Sequence, residues 1–174
     1  QWWRLFTAIW LHADVAHLAA NATLGFVLLG LAMGRYGTGN GLLAAYVAGA
    51  GGNLLAGWFS AGPHRSLGAS GMVMASLGLL AVPFFSGWRH PPHATKYLLS
   101  GVFGGVMLFV LLGVTPGTDI LAHFGGFLSG LLLGGCLAWF PTLAAKAKLN
   151  FFSGLLFAGL VIWPWWLALS RASH

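Results

Sequence analysis

Four residues in this sequence have the types and the spacing that acyl transfer needs. Ser70 stands in the string "GASG" where an apolar run begins, and His123 stands in "AHFGG" where another begins. A serine hydroxyl becomes a useful nucleophile when a neighbouring base takes its proton, and imidazole is the natural base near neutral pH. "HLAAN" adds His17 and Asn21 at i, i+4, on one helix face, where both can donate to a developing oxyanion. The Ser70 backbone N–H, at a helix start, has no partner in its own helix and is a third donor. Taken singly, each has an ordinary explanation. Ser70 can be a small packing residue, His123 a satisfied buried histidine, and His17 with Asn21 a pair bonded to each other or to a loop.

The remaining composition closes other routes. There is no glutamate, and Asp14 and Asp119 are the only acids. An HExxH zinc site therefore lacks its Glu. A paired-aspartate protease needs two carboxylates sharing a proton, whereas both aspartates stand at helix entrances, where capping accounts for them. Cys136 is the single cysteine, so neither a disulfide within the chain nor a multi-cysteine metal site is available. "HPPH", with His90 and His93, offers two ligands and no third, and reads as a rigid turn. "GTGNG" from Gly37 lacks the preceding strand and following Lys-Ser/Thr of a phosphate loop and reads as a turn between helices. No metal and no cofactor is expected.

The elements that position these residues are set by the solvent. The chain has 174 residues, 58% hydrophobic and 6% charged, against about 25% charged in soluble domains. So few charges cannot cover a water-facing surface, so the class is a polytopic transmembrane helical bundle, all-α, in a lipid bilayer. The net charge of +6 is spread over single Lys and Arg residues. With no basic patch, nucleic acid is excluded as a partner, and the charges read as topology signals. Six apolar stretches, 16–34, 41–60, 70–87, 96–114, 119–140 and 151–169, are long enough or nearly so to cross about 30 Å of hydrocarbon. Residues 1–15, with three tryptophans and an arginine, read as an interfacial segment. Arg35, Arg89, Lys96, Lys146 and Lys148 fall on one side and Arg4, Arg65 and Arg171 on the other, which makes the first side cytoplasmic.

Alternation then makes the first, third and fifth spans parallel, and each carries a polar residue near its outer end: His17, Ser70 and His123. The span middles are apolar, which argues against a transporter passing protons between histidines. Gly126, Gly130 and Gly134 form a small-residue seam on the fifth span, and Gly71, Ala75 and Gly78 a matching one on the third. If the two seams meet, Ser70 and His123 face each other within hydrogen-bond reach.

The strings "WWRLFTAIWLH", "HLAAN", "GGNLL", "GASG" and "AHFGG" occur in that order over nearly the whole chain. Together they resemble the rhomboid intramembrane serine proteases. The resemblance implies Ser70 as nucleophile, His123 as general base, and His17, Asn21 and the Ser70 amide as the oxyanion hole. It makes Gly68, Gly71, Gly126 and Gly130 helix-packing supports and His12 a structural member of the first loop. It further implies a Ser–His dyad acting without metal or cofactor on transmembrane protein substrates near their outer ends. The corresponding location is a bacterial cytoplasmic (inner) membrane, with the site opening outward.

The resemblance divides the chain into an interfacial segment 1–15, protease core helices 16–140, and a loop with an added C-terminal span at 141–174. It also shows three departures. The family's first helix, ahead of "WR", is not within this sequence, and since the chain opens on Gln1 the expectation is that the natural N-terminus has been cut away. Met74 stands where an aromatic often packs on the catalytic histidine, so retained but retuned activity is expected. Met33 and Gly34 stand where many members carry a Glu. The rival expectation is a catalytically inactive relative that binds and chaperones transmembrane helices, keeping the fold without the dyad.

Overall fold

The computed structural model describes residues 1–60, 65–86, 106, 107, 110, 119–144 and 146–172. The "HPPH" loop lies outside the described residues, as does the fourth expected span apart from Val106, Met107 and Val110, which are helical and exposed. In chain order the helices are α1 (Arg4–Thr7), continued by a 3-10 turn at Ala8–Trp10, α2 (Val15–Tyr36), α3 (Thr38–Phe59), α4 (Ser70–Ser86), α5 (Ile120–Trp139), α6 (Pro141–Ala144) and α7 (Ala147–Ala172). Helices α2, α3, α5 and α7 are long and apolar enough to cross a membrane, and α4 is a shorter apolar helix. Among the described residues there is no strand. The chain is an integral membrane protein built as a helical bundle.

The helix ends follow local chemistry. Asp14 adopts an extended backbone and its carboxylate accepts the His17 N–H at 2.7 Å, starting α2. Asp119 starts α5 in the same way, accepting the Ala122 N–H at 3.0 Å. Two boundaries differ from the sequence expectation, and at one of them α7 begins at Ala147 rather than near 151, with α6 occupying part of the expected loop. At the other, the loop expected between 34 and 41 shrinks to Gly37, whose φ of +90° turns α2 directly into α3. Gly37 has no side chain to cap α3, and Asn150 of α7 supplies the cap instead. Its Oδ1 accepts the N–H groups of Gly39 at 2.8 Å and Asn40 at 3.2 Å.

Helix α3 is the central rod, packed against α2, α4, α5 and α7. Its buried residues are mostly Gly and Ala, as expected where lipid gives no hydrophobic push and close backbone approach must supply the packing. Tyr46 anchors its middle. The ring meets Phe6 and Phe157, and the hydroxyl accepts the Trp10 indole N–H at 3.1 Å. The same hydroxyl lies 3.3 Å from the Phe6 carbonyl and 3.5 Å from that of Leu160. Leu160 precedes Pro164 by four residues inside α7, so its carbonyl lacks the helical N–H partner it would otherwise have. Tyr46 thus reaches a backbone oxygen that lipid would leave unsatisfied.

The short N-terminal segment is docked rather than loose. Asn53 of α3 donates from Nδ2 to the Leu5 carbonyl at 2.8 Å, and Trp3 is buried beneath the Arg171 guanidinium, 4.9 Å from its ring centroid. The outward apolar residues, Phe26, Leu132 and Ile162 among them, are exposed, which suits a hydrocarbon surround.

Candidate active site

The α2, α4 and α5 helices begin at the same end of the bundle. The Asp14 cap fixes the first turn of α2, so His17 and Asn21 project from one face one turn apart. His17 is half-buried and Asn21 is buried. Both close on Gly68, just ahead of α4. A Cβ on Gly68 would lie 2.7 Å from two atoms of the His17 ring and 3.0 Å from Asn21 Nδ2. Gly68 has φ +106°, a conformation open to glycine and strained for other residues. Only glycine lets the chain pass this close to the two side chains.

The segment entering α4 is strapped to the N-terminal segment. The Gly68 N–H donates to the Ala8 carbonyl at 3.0 Å, and the Ala69 N–H donates to His12 Nε2 at 3.4 Å. His12 Nδ1 lies 3.3 Å from the Trp10 carbonyl. A neutral imidazole with its proton on Nδ1 satisfies both contacts. The His12 and His17 rings meet edge to face with centroids 5.2 Å apart.

Ser70 is the first residue of α4 and half-buried, the Ala69 carbonyl accepting the first helical bond from Val73. The Ser70 amide therefore belongs to the first turn, whose N–H groups have no partner within the helix. His123 is in the first turn of α5 and 2% exposed. Asp119 joins the two entrances. One oxygen caps α5, and the other accepts a short hydrogen bond from the Ser66 hydroxyl, four residues before Ser70.

Below these entrances α4 and α5 touch backbone to backbone. A Cβ on Gly126 would stand 2.2 Å from the Gly71 carbonyl oxygen, one on Gly130 2.2 Å from that of Ala75, and one on Gly78 2.2 Å from that of Phe127. Gly52 of α3 joins them, its Cβ position 2.4 Å from the Ala122 oxygen. Ser70 and His123 thus flank this backbone-on-backbone crossing, one residue above Gly71 and one turn above Gly126. A direct Ser70–His123 hydrogen bond is not among those made by the described residues. Bonds of this kind are often long until substrate is present. Met74 is buried with Val73 and Leu77 against Leu24, Leu28 and Phe127, as a core residue of the α2–α4 contact.

One polar atom here is left over. Asn21 Nδ2 is buried and has no hydrogen-bond acceptor among the described residues. Such a donor costs about 1–3 kcal/mol if it stays unsatisfied, and it sits beside Gly68, at the approach to Ser70. The geometry therefore gathers His17, Asn21 and the α4 entrance around one point and sets His123 across the crossing. Among the described residues, no three His, Cys, Asp or Glu side chains converge as metal ligands. Reasoning from sequence missed the Ser66–Asp119 link and the Asn150 cap, since no local spacing announces either.

The model of the Rhomboid domain matches residues 1–140. Curated relatives include RHOMBOID-like protein 1 of Arabidopsis thaliana, 36% identical over 76% of this chain and 33% of that protein. Rhomboid protease GluP of Bacillus subtilis (strain 168) is 31% identical over 100% of this chain and 33% of its own length. Rhomboid-type serine protease 2 of Emericella nidulans is 30% identical over 81% of this chain and 28% of its own. The chain spans about a third of the length of these relatives. No solved structure matches.

Proposed function

The chain belongs to the rhomboid family, and from that premise we propose that it is an intramembrane serine endopeptidase acting through Ser70 and His123 on transmembrane protein substrates. The observation that carries this reading is the buried Asn21 Nδ2, without an acceptor among the described residues and held with His17 against Gly68 at the approach to Ser70. An amide donor in that position is what a developing oxyanion requires.

In this reading the His123 imidazole takes the proton of the Ser70 hydroxyl as Oγ bonds to the scissile carbonyl carbon. The carbonyl oxygen, now negative, accepts hydrogen bonds from Asn21, His17 and the Ser70 amide. Collapse breaks the C–N bond, and the imidazolium passes its proton to the leaving amine. A water molecule, deprotonated by the same imidazole, then hydrolyses the acyl ester and restores Ser70. Substrate helices must unwind locally first, because a helical backbone holds its carbonyls in hydrogen bonds. Small or helix-breaking residues around the cut are the expected preference.

With Arg35, Lys146 and Lys148 on the cytoplasmic side, the site opens outward. We assign it to a bacterial cytoplasmic membrane, which the Bacillus subtilis alignment over the whole chain, C-terminal span included, supports. Residues 1–15 then serve as the interfacial segment, 16–140 as the protease core, and 141–174 as an added span.

The test is labelling of the purified protein by a fluorophosphonate. The unaltered protein should label, and Ser70→Ala and His123→Ala should not. Labelling that persists in Ser70→Ala removes Ser70 as nucleophile. A well-folded unaltered protein that binds transmembrane helices but never labels is the inactive, chaperone-like relative.

A further inference from the structure

Three arginines from distant parts of the chain line one cavity, and among the described residues no carboxylate joins them. The cavity, about 620 Å³, lies at the end of the bundle where α3 and α7 finish and α4 begins. Arg4, Arg65 and Arg171 line it, together with Trp3 and Trp165. All three arginines are exposed, and among the described residues none meets an acid. The chain's two acids are engaged elsewhere, Asp14 on the His17 amide and Asp119 on the Ala122 amide and the Ser66 hydroxyl. Arg171 is instead held in place by its stack on the buried Trp3 ring.

Three like charges around one concavity repel each other, and more strongly beside low-dielectric walls than in open water. A bound anion reverses that sign. Guanidinium groups suit phosphate in particular, because their planar fork can donate two parallel hydrogen bonds to its oxygens. The cavity sits at the depth of the tryptophan-rich bundle end, where Trp2, Trp10, Trp163 and Trp166 are exposed. Tryptophan in such numbers marks the headgroup level of a bilayer. Below it, α7 presents exposed apolar residues such as Ile162 and Leu155, a surface along which acyl chains can lie.

We propose that this cavity binds the phosphate of an anionic phospholipid headgroup, with Arg4, Arg65 and Arg171 as its ligands. The proposal does not depend on proteolysis. It has a consequence for the candidate active site, because Arg65 adjoins Ser66, which bonds Asp119, and precedes Gly68 by three residues. A headgroup held by Arg65 steadies the segment that leads into Ser70.

The experiment uses the full-length protein in a neutral detergent and counts retained lipid by native mass spectrometry. Phosphatidylglycerol and phosphatidylcholine are offered in separate titrations, and inorganic phosphate is added as a competitor. One phosphatidylglycerol should be retained in preference to phosphatidylcholine. The pair Arg65→Gln and Arg171→Gln should weaken retention roughly tenfold or more, while Arg35→Gln, at the opposite end, leaves it unchanged. Because Arg171 also packs on Trp3, Arg65→Gln alone is measured beside the pair, with thermal midpoints as the check on folding. Equal retention of the two lipids, or an equal loss in Arg35→Gln, overturns the site. Displacement by inorganic phosphate at the lipid's own concentration overturns the lipid as its source and assigns the cavity to a soluble anion.

Discussion

Gly126 of α5 rests on the carbonyl of Gly71 of α4, so closely that a Cβ would lie 2.2 Å from its oxygen. The contact is backbone on backbone, so no side chain can swing aside to make room. It also sits directly below Ser70 and His123, so the distance between those helices sets the distance between the two side chains.

Gly126→Ala should therefore lower the thermal midpoint and the fluorophosphonate labelling rate together. Forcing a methyl into a tight crossing costs about 1–3 kcal/mol. Gly135→Ala in the same helix is the control, since a Cβ there meets nothing within 4 Å. It should leave both quantities unchanged or raise the midpoint slightly, alanine being the better helix former. Equal effects at the two positions would show that the crossing does not govern the site.

Much of this was legible in the sequence, for physical reasons. The spans stand out because lipid demands long apolar helices, and Asp14 and Asp119 cap because an apolar run leaves its first amides few other partners. The α4–α5 contact could be read from Gly126 and Gly130 at i, i+4, since small residues on one face admit a close neighbour. What could not be read were single side-chain contacts between distant residues, which no repeating spacing marks. Asn150 caps a helix that begins more than a hundred residues earlier, and nothing near either partner signals it. That remote cap is also why the turn at Gly37 is shorter than "GTGNG" suggests.

Asn21→Ala separates a chemical role from a structural one. If Asn21 serves the oxyanion, the turnover number on a transmembrane substrate should fall by about 10²–10³. The thermal midpoint should stay level or rise, because the substitution removes a buried donor that has no acceptor among the described residues. A structural asparagine predicts the opposite pattern, a lower midpoint with activity falling only in proportion to folded protein. Measuring turnover and midpoint on the same preparations distinguishes the two.

Asn150 tests whether the C-terminal span is part of the bundle or merely attached to it. Its Oδ1 accepts two amides at the start of α3, and that start has no cap of its own because Gly37 precedes it. Asn150→Ala leaves both amides without that acceptor and should cost about 1–2 kcal/mol, the scale of a lost N-cap. Hydrogen exchange at Gly39 and Asn40 should accelerate with it. Asn150→Asp keeps the acceptor and adds a negative charge at a helix N-terminus, where the macrodipole favours it, so protection should be retained. Because this junction lies at the end of the bundle away from Ser70, fluorophosphonate labelling of the folded Asn150→Ala protein should match the unaltered rate. Unchanged exchange at Gly39 and Asn40 in Asn150→Ala would mean that α3 starts without help from α7.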